Sequence, residues 1–202
     1  QQPWMDQEMK RGFWNKIPCH SLSEVTIGVI GVGNIGSAVL HRAQAFGAEL
    51  LGNDIVPIAH DFITENKMEM TSLQDLLERS DFISMNCDLN PTSYHLINTQ
   101  SLSWVKPHAV LINTARGPLI DEEALIQALE NKKIAGAALD VFEHEPLPNS
   151  SPLLQMDNVM LAPHNSNSSP QAWEHVHWNS LHNLLEGLNI DHKDLQELAQ
   201  KH

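Results

Sequence analysis

The feature that most constrains the fold is Gly31-Val-Gly33-Asn-Ile-Gly36, because of what stands on either side of it. Val25 to Ile30 is a short β-branched run that reads as a buried strand. Ile35, Ala38, Val39, Ala43 and Phe46 then recur at helical spacing, and Gly47 stops the helix. A G-x-G-x-x-G run joining a strand to a helix is a phosphate-binding turn. Gly31 permits the tight turn, Gly33 lets a pyrophosphate approach the backbone, and Gly36 lets helix and strand pack closely. The amides of Asn34 and Ile35, at the positive end of the helix, are the expected donors to that anion. Asp54 stands 18 residues past Gly36, at the end of a second strand from Ala48 to Asn53. An acid there accepts hydrogen bonds from the adenosine ribose and repels a 2′-phosphate, so NAD is expected rather than NADP.

The alternation continues. Thr71 or Ser72 caps a short helix carrying Leu73, Leu76 and Leu77, and Asp121 caps an amphipathic helix to Glu130. Asp81–Asn86, Ala109–Thr114, Ile134–Asp140 and Val159–Ala162 read as further strands. Strands separated by helical stretches imply βαβ units. The expected class is therefore α/β: a Rossmann-type doubly wound parallel sheet with helices on both faces. Two end segments differ. Residues 4–16 read as an aromatic-rich helix ahead of the first strand, and 170–187 as a Trp- and His-rich helix opened by Pro170 and closed by Gly187. The tail from Leu188 to His202 is polar and is expected to be the least ordered part.

Charge and length narrow the partners. The chain has 202 residues and a net charge of −13, which argues against nucleic acid or an anionic membrane. No apolar run is long enough to span a bilayer. Two cysteines, Cys19 and Cys87, are too few for a disulfide scaffold, so a reducing, cytoplasmic setting is expected. His175 and His177 fall on different helix faces, and His182 shares the face of His175; they read as surface or interface residues, and no metal site is expected. Gln1, in place of an initiator Met, points to a longer gene product.

The second half carries LINTARGPLIDEEAL, which places Arg116 just past a strand's carboxyl end. Together with GVIGVGNIG, Asp54, PTSYHLIN, KIAGAALDVFEHEP and Leu161-Ala-Pro-His164, it resembles the cofactor domain of the D-isomer-specific 2-hydroxyacid dehydrogenases over residues 22–164. The resemblance implies roles. Arg116 would bind the substrate's carboxylate and carbonyl oxygen, His164 would be the general acid/base, and Glu145 would hold the imidazole. Asp140 matches the acid that hydrogen-bonds the carboxamide, and Thr114 and Ala115 match backbone contacts near the nicotinamide ribose. Cys87 and Ser93 match loop positions flanking the adenosine half; Cys87 reads as a wall residue rather than a nucleophile, and Cys19 as inert. Glu143 and His144 read as solvated neighbours. The cofactor set is thus Gly31, Gly33, Asn34, Ile35, Gly36, Asp54, Cys87, Ser93, Thr114, Ala115, Arg116, Asp140 and His164. The implied partners are a small 2-oxo or 2-hydroxy acid and a second copy of the chain, in a homodimer with residues 4–16 at its interface.

Three departures from the family pattern stand out. Asp88 replaces a usual Pro, and Asn165 to Ser169 replace apolar and glycine residues. Only residues 1–24 precede the first strand, where the family carries a substrate-binding lobe of about a hundred residues. The expected division is 1–169 as the NAD-binding domain and 170–202 as the helix and tail that rejoin the lobe. Cys87-Asp-Leu-Asn90 supports a second reading, an NAD-binding scaffold related to the C-terminal-binding-protein corepressors, although their Trp after the catalytic His is absent here. A catalytically inactive cofactor-binding fragment is a third.

Overall fold

A computed structural model describes residues 2–16 and 18–188. The chain forms two compact units that divide after Leu161. The first unit opens with helix α1 (Gln2–Lys10), then alternates: β1 (Thr26–Ile30), α2 (Asn34–Gln44), β2 (Glu49–Asn53), α3 (His60–Glu65), β3 (Met68–Met70), α4 (Leu73–Arg79) and β4 (Phe82–Met85). It continues with α5 (Thr99–Leu102), β5 (Val110–Asn113), α6 (Glu122–Glu130), β6 (Gly136–Leu139) and β7 (Val159–Leu161). The second unit, from Ala162, carries α7 (Pro170–Gly187).

All seven strands pair in parallel in the order β3-β2-β1-β4-β5-β6-β7. The order reverses between β1 and β4, which is where doubly wound sheets open a crevice. The register keeps the strand ends level. Ile30 pairs with both Asn53 and Met85, Met85 with Asn113, Asn113 with Leu139, and Leu139 with Leu161. The residues that follow, Asp54, Gly31, Asn86, Thr114 and Asp140, therefore emerge along one edge.

Side chains of successive strand residues point to opposite faces. Val29 and Leu50 accordingly join one core cluster, while Ile30 and Leu51 join the other. Both faces are covered, which is why these strands read as unbroken apolar runs. The caps behave as their chemistry requires. Ser72, rather than Thr71, accepts from the Asp75 amide at 3.1 Å, and Asp121 accepts from the Ala124 amide at 3.0 Å.

Some expectations need correction. The first helix stops at Lys10 instead of running to Lys16, because Gly12 turns the chain at φ +87°. Helix α2 ends at Gln44, short of Phe46. Three short elements, α3, β3 and α5, were not expected. The tail expected to be the least ordered lies outside the described residues from 189 onward.

Asp81 ties the amino ends of three strands together. Its carboxylate accepts from the Thr26 amide at 2.7 Å, from Lys106 at 2.9 Å and from His108 at 2.9 Å. Its own carbonyl accepts from the Val110 amide at 2.9 Å. Burial pushes this carboxyl up, but the Thr26 N–H, Lys106 and His108 outweigh it and hold it below the usual aspartate range. A depressed carboxyl stabilises the fold above its unfolded pKa and loses that contribution as pH falls through the folded value. Asp81→Asn should therefore cost about 1–3 kcal/mol near neutrality. The deficit should shrink as pH drops below the ordinary aspartate range, as read from urea midpoints across pH. A deficit that does not change with pH would contradict this.

Candidate functional site

The glycine-rich turn is clamped from both sides. The Gly31 amide donates to Asn53 O at 2.8 Å, and the Asn86 amide donates to Ile30 O at 2.7 Å. Gly31 holds φ +89°, and a Cβ there would strike the Asn86–Cys87 backbone. A Cβ at Gly36 would strike the Gly31 carbonyl, so the third glycine fixes how closely α2 packs on the turn. Gly33 differs: its φ is −75°, and a Cβ would meet nothing within 4 Å. Neither strain nor packing within the chain requires glycine there.

Gly33 is also the N-cap of α2 and offers no side-chain cap, whereas Ser72, Asn98 and Asp121 cap α4, α5 and α6 with side-chain bonds. The first-turn amides of α2, including those of Asn34 and Ile35, are thus left without a capping side chain. A pyrophosphate suits such a place, with room above Gly33 and backbone N–H groups to receive it. Asp54 braces the same turn. One carboxylate oxygen accepts from the Val32 amide at 2.7 Å, the other from the Val56 amide at 2.9 Å.

A cavity of about 430 Å³ opens beside the turn. Five of the expected residues line it: Ile35, Cys87, Thr114, Ala115 and Arg116. Ile35 is 67% exposed, an apolar side chain on an open wall. Four more were not expected there: Met85, Asn86, Asp88 and Leu89. Their signal was available, since they lie at or just past the end of β4, on the ligand-bearing edge. Burial first, and the charges of Asp88 and Asp54 next, push the Cys87 thiol up. That keeps Cys87 a protonated wall residue, not a nucleophile.

Arg116 is exposed on the loop after β5, with its guanidinium donating to Ala115 O at 2.6 Å. The loop is shaped by Asn113, which is 0% exposed. The Asn113 side chain accepts from the Ala115 amide at 3.0 Å and donates to Arg116 O at 2.9 Å. A buried polar side chain at a strand end, bonded at both its oxygen and its nitrogen, sets the loop that carries the cation. Reasoning from sequence passes over Asn113.

The remaining expected residues occupy varied places. Asp140 is 5% exposed, just past β6, with its amide donating to Asn113 O at 3.0 Å. Ser93 is 6% exposed, and its hydroxyl is bonded within its own loop, donating to Asp88 O at 2.6 Å and accepting from the Asn90 amide at 2.9 Å. It shapes the loop that presents Asp88 and does not line the cavity. Glu145 is exposed and accepts from the Phe142 amide at 3.1 Å. His164 belongs to the second unit, where it is exposed and adopts a left-handed φ of 52°. Lys67, His95 and Lys132 hold the same conformation elsewhere in the chain, so it does not by itself mark His164 out.

Glu143 corrects an expectation. It is half-buried, not solvated: His95 Nε2 bonds its carboxylate at 2.5 Å, and the Glu122 amide donates to it at 3.2 Å. Glu122 returns the bond by accepting from the Glu143 amide at 3.3 Å. Burial, with the nearby Glu143 charge, pushes the Glu122 carboxyl up. His95 stacks on Tyr94, with centroids 4.0 Å apart, and its amide donates to Pro118 O at 2.9 Å. The cluster ties together the loops after β4, β5 and β6. His144 is exposed, in line with its reading. Among the described residues, no group of three His, Cys, Asp or Glu is arranged to hold a metal ion, and no helix is long and apolar enough to cross a membrane.

Fold and site together define a dinucleotide-binding α/β domain with a cation on the carboxyl edge of its sheet. Residues 1–166 match the model of the D-isomer specific 2-hydroxyacid dehydrogenase NAD binding domain, and the chain belongs to that family. It is 41% identical over 174 residues to a glyoxylate reductase of Korarchaeum cryptofilum, a match covering 83% of this chain and 52% of that protein. The D-lactate dehydrogenase of Aquifex aeolicus, solved with NAD and lactic acid, superposes at a TM-score of 0.84 with 29% identity over 98% of this chain and 63% of that one. A D-isomer specific 2-hydroxyacid dehydrogenase of Xanthobacter autotrophicus, solved with NADPH and MES, gives 0.73 and 34% over 80% and 51%. The chain spans about half the length of the curated relatives it matches.

Proposed function

We propose that this chain is the cofactor half of an NAD-dependent D-2-hydroxyacid dehydrogenase that transfers hydride between NADH and a small 2-oxo acid. The observation that carries the reading is Arg116, a permanent cation on the same sheet edge as the glycine-rich turn and Asp54. Its planar fork suits a carboxylate and the adjacent carbonyl oxygen. His164 gives the carbonyl oxygen its proton on reduction and takes it back on oxidation, and Glu145 steadies the imidazole. These two roles rest on their places in the family motifs. When bound, the nicotinamide supplies the hydride. Asp140, Thr114 and Ala115 serve its half of the cofactor, Cys87 and Ser93 the adenosine half, and Asp54 favours NAD over NADP.

In this reading residues 1–169 are the NAD-binding domain, and 170–202 rejoin a substrate-binding domain. Exposed Trp173, Val176 and Leu184, which share one face of α7 at helical spacing, support such a partner surface. A cytoplasmic homodimer completes the proposal. Its interface segment, residues 4–16, is supported by a hollow that Met5 and Met9 of α1 line together with Trp14, Asn15 and Lys16 beyond it, with Trp14 78% exposed. Assay of the full gene product with NADH and a panel of 2-oxo acids tests the activity. Saturable NADH oxidation by at least one small 2-oxo acid is expected. NADH binding without turnover on any of them would overturn the enzymatic reading and favour the scaffold.

A further inference from the structure

The sheet places a second carboxylate at the adenosine end of the cavity. Strand β1 lies between β2 and β4, with Ile30 level with Asn53 and Met85. Asp54 follows β2 by one residue, and Asp88 follows β4 by three. The two strands stand two spacings apart, about 10 Å, so the carboxylates flank the turn from opposite sides. Asp88 lines the cavity, and its backbone is held by Ser93, whose hydroxyl donates to Asp88 O. Cys87, beside it, packs on Gly31. Burial first, and then the charges of Asp88 and Asp54, push the Cys87 thiol up, so both carboxylates are near enough to be felt there.

The charge that follows β2 and β4 on this edge is one-sided. There is no Lys or Arg from 54 to 66 or from 86 to 105, while Asp54, Asp61, Glu65 and Asp88 fall in those stretches; the cation lining the cavity, Arg116, comes from the loop after β5, on the far side of β4 from Asp54. The histidines of the two stretches, His60 and His95, are the remaining titratable bases, and His95 is engaged by Glu143. A site for a 2′-phosphate needs a cation after the second strand. Here that segment, Asn53 to Ala59, has none.

We propose that Asp88 is a second cofactor-selectivity residue, acting with Asp54 to exclude dinucleotides that carry a 2′-phosphate. This rests on the reading of the cavity as the NAD site. The phosphate brings up to two negative charges, and a carboxylate on the adenosine side of the cavity repels them through partly screened solvent.

The test is a fluorescence titration of the chain with NADH and with NADPH, for wild type and Asp88→Asn. The wild type should prefer NADH. Asp88→Asn should lower that preference about five- to tenfold by tightening NADPH, and the gain should fade in 1 M KCl, where the screening length is about 3 Å. An unchanged preference with NADH still bound would overturn the proposal while leaving the cofactor reading intact. A preference lowered only through weaker NADH binding would also overturn it, by making Asp88 a ribose contact. A folded wild-type chain that binds neither nucleotide would overturn both.

Discussion

Gly33→Ala should leave the fold intact and weaken NADH binding roughly 10- to 100-fold. The added methyl meets nothing within 4 Å, and the backbone at φ −75° is one any residue adopts. A glycine that the chain itself does not require is explained by something that must come close to it. The pyrophosphate of a dinucleotide does so, because it takes its hydrogen bonds from backbone amides and not from side chains. Gly31→Ala gives the contrast. Its φ of +89° and the Asn86–Cys87 backbone both oppose a Cβ, so that variant should lose stability as well as affinity. Thermal unfolding alongside NADH titration separates the two. If Gly33→Ala binds NADH as tightly as wild type, the turn is not where the pyrophosphate lies.

Gly117→Ala should be the most damaging single methyl in the Arg116 loop. A Cβ there would occupy the space of the Phe142 carbonyl and crowd the Glu143 amide. Backbone cannot rotate aside as a side chain can, so either the Arg116 loop or the Phe142–Glu145 loop must move. Each is fixed elsewhere: the first by Asn113, the second by the His95–Glu143 bond. The expected cost is about 2–4 kcal/mol in urea unfolding. Gly33→Ala, the same chemical change in open space, serves as the internal standard. If both variants unfold at the same midpoint, the packing of Gly117 against Phe142 is looser than the structure has it.

The parts of the molecule that are legible in the sequence are those whose physics is local. Six strands show as apolar runs because both sheet faces are covered, so each strand must be apolar on both sides. The turn, Asp54 and the position of Arg116 show because they follow strand ends, and a parallel sheet brings its strand ends to one edge; Thr114 and Ala115 are marked only by the family motif. Strand β3 and helices α3 and α5, of three, six and four residues, are too short for a period to emerge. Helix α1 looks longer in sequence than it is, because Phe13 and Trp14 carry the aromatic pattern past the Gly12 that ends it. What stays hidden depends on distant partners. His95 and Glu143 lie 48 positions apart, and nothing near either one announces the other. Asn113 is polar in an apolar strand, a signal whose meaning appears only once the loop beyond it is seen to close on it. Asp88 stands out as a departure from the family pattern, and its place across the turn from Asp54 follows from the strand order.

Both the glycine turn and the Asp54–Asp88 pair have their meaning only if the carboxyl edge between β1 and β4 is a working NAD site. Calorimetric titration of NADH into the purified chain tests it most directly. Saturable one-to-one binding is expected, with a Kd in roughly the micromolar range. A cooperatively folded chain that takes up no NADH at millimolar concentration would contradict it.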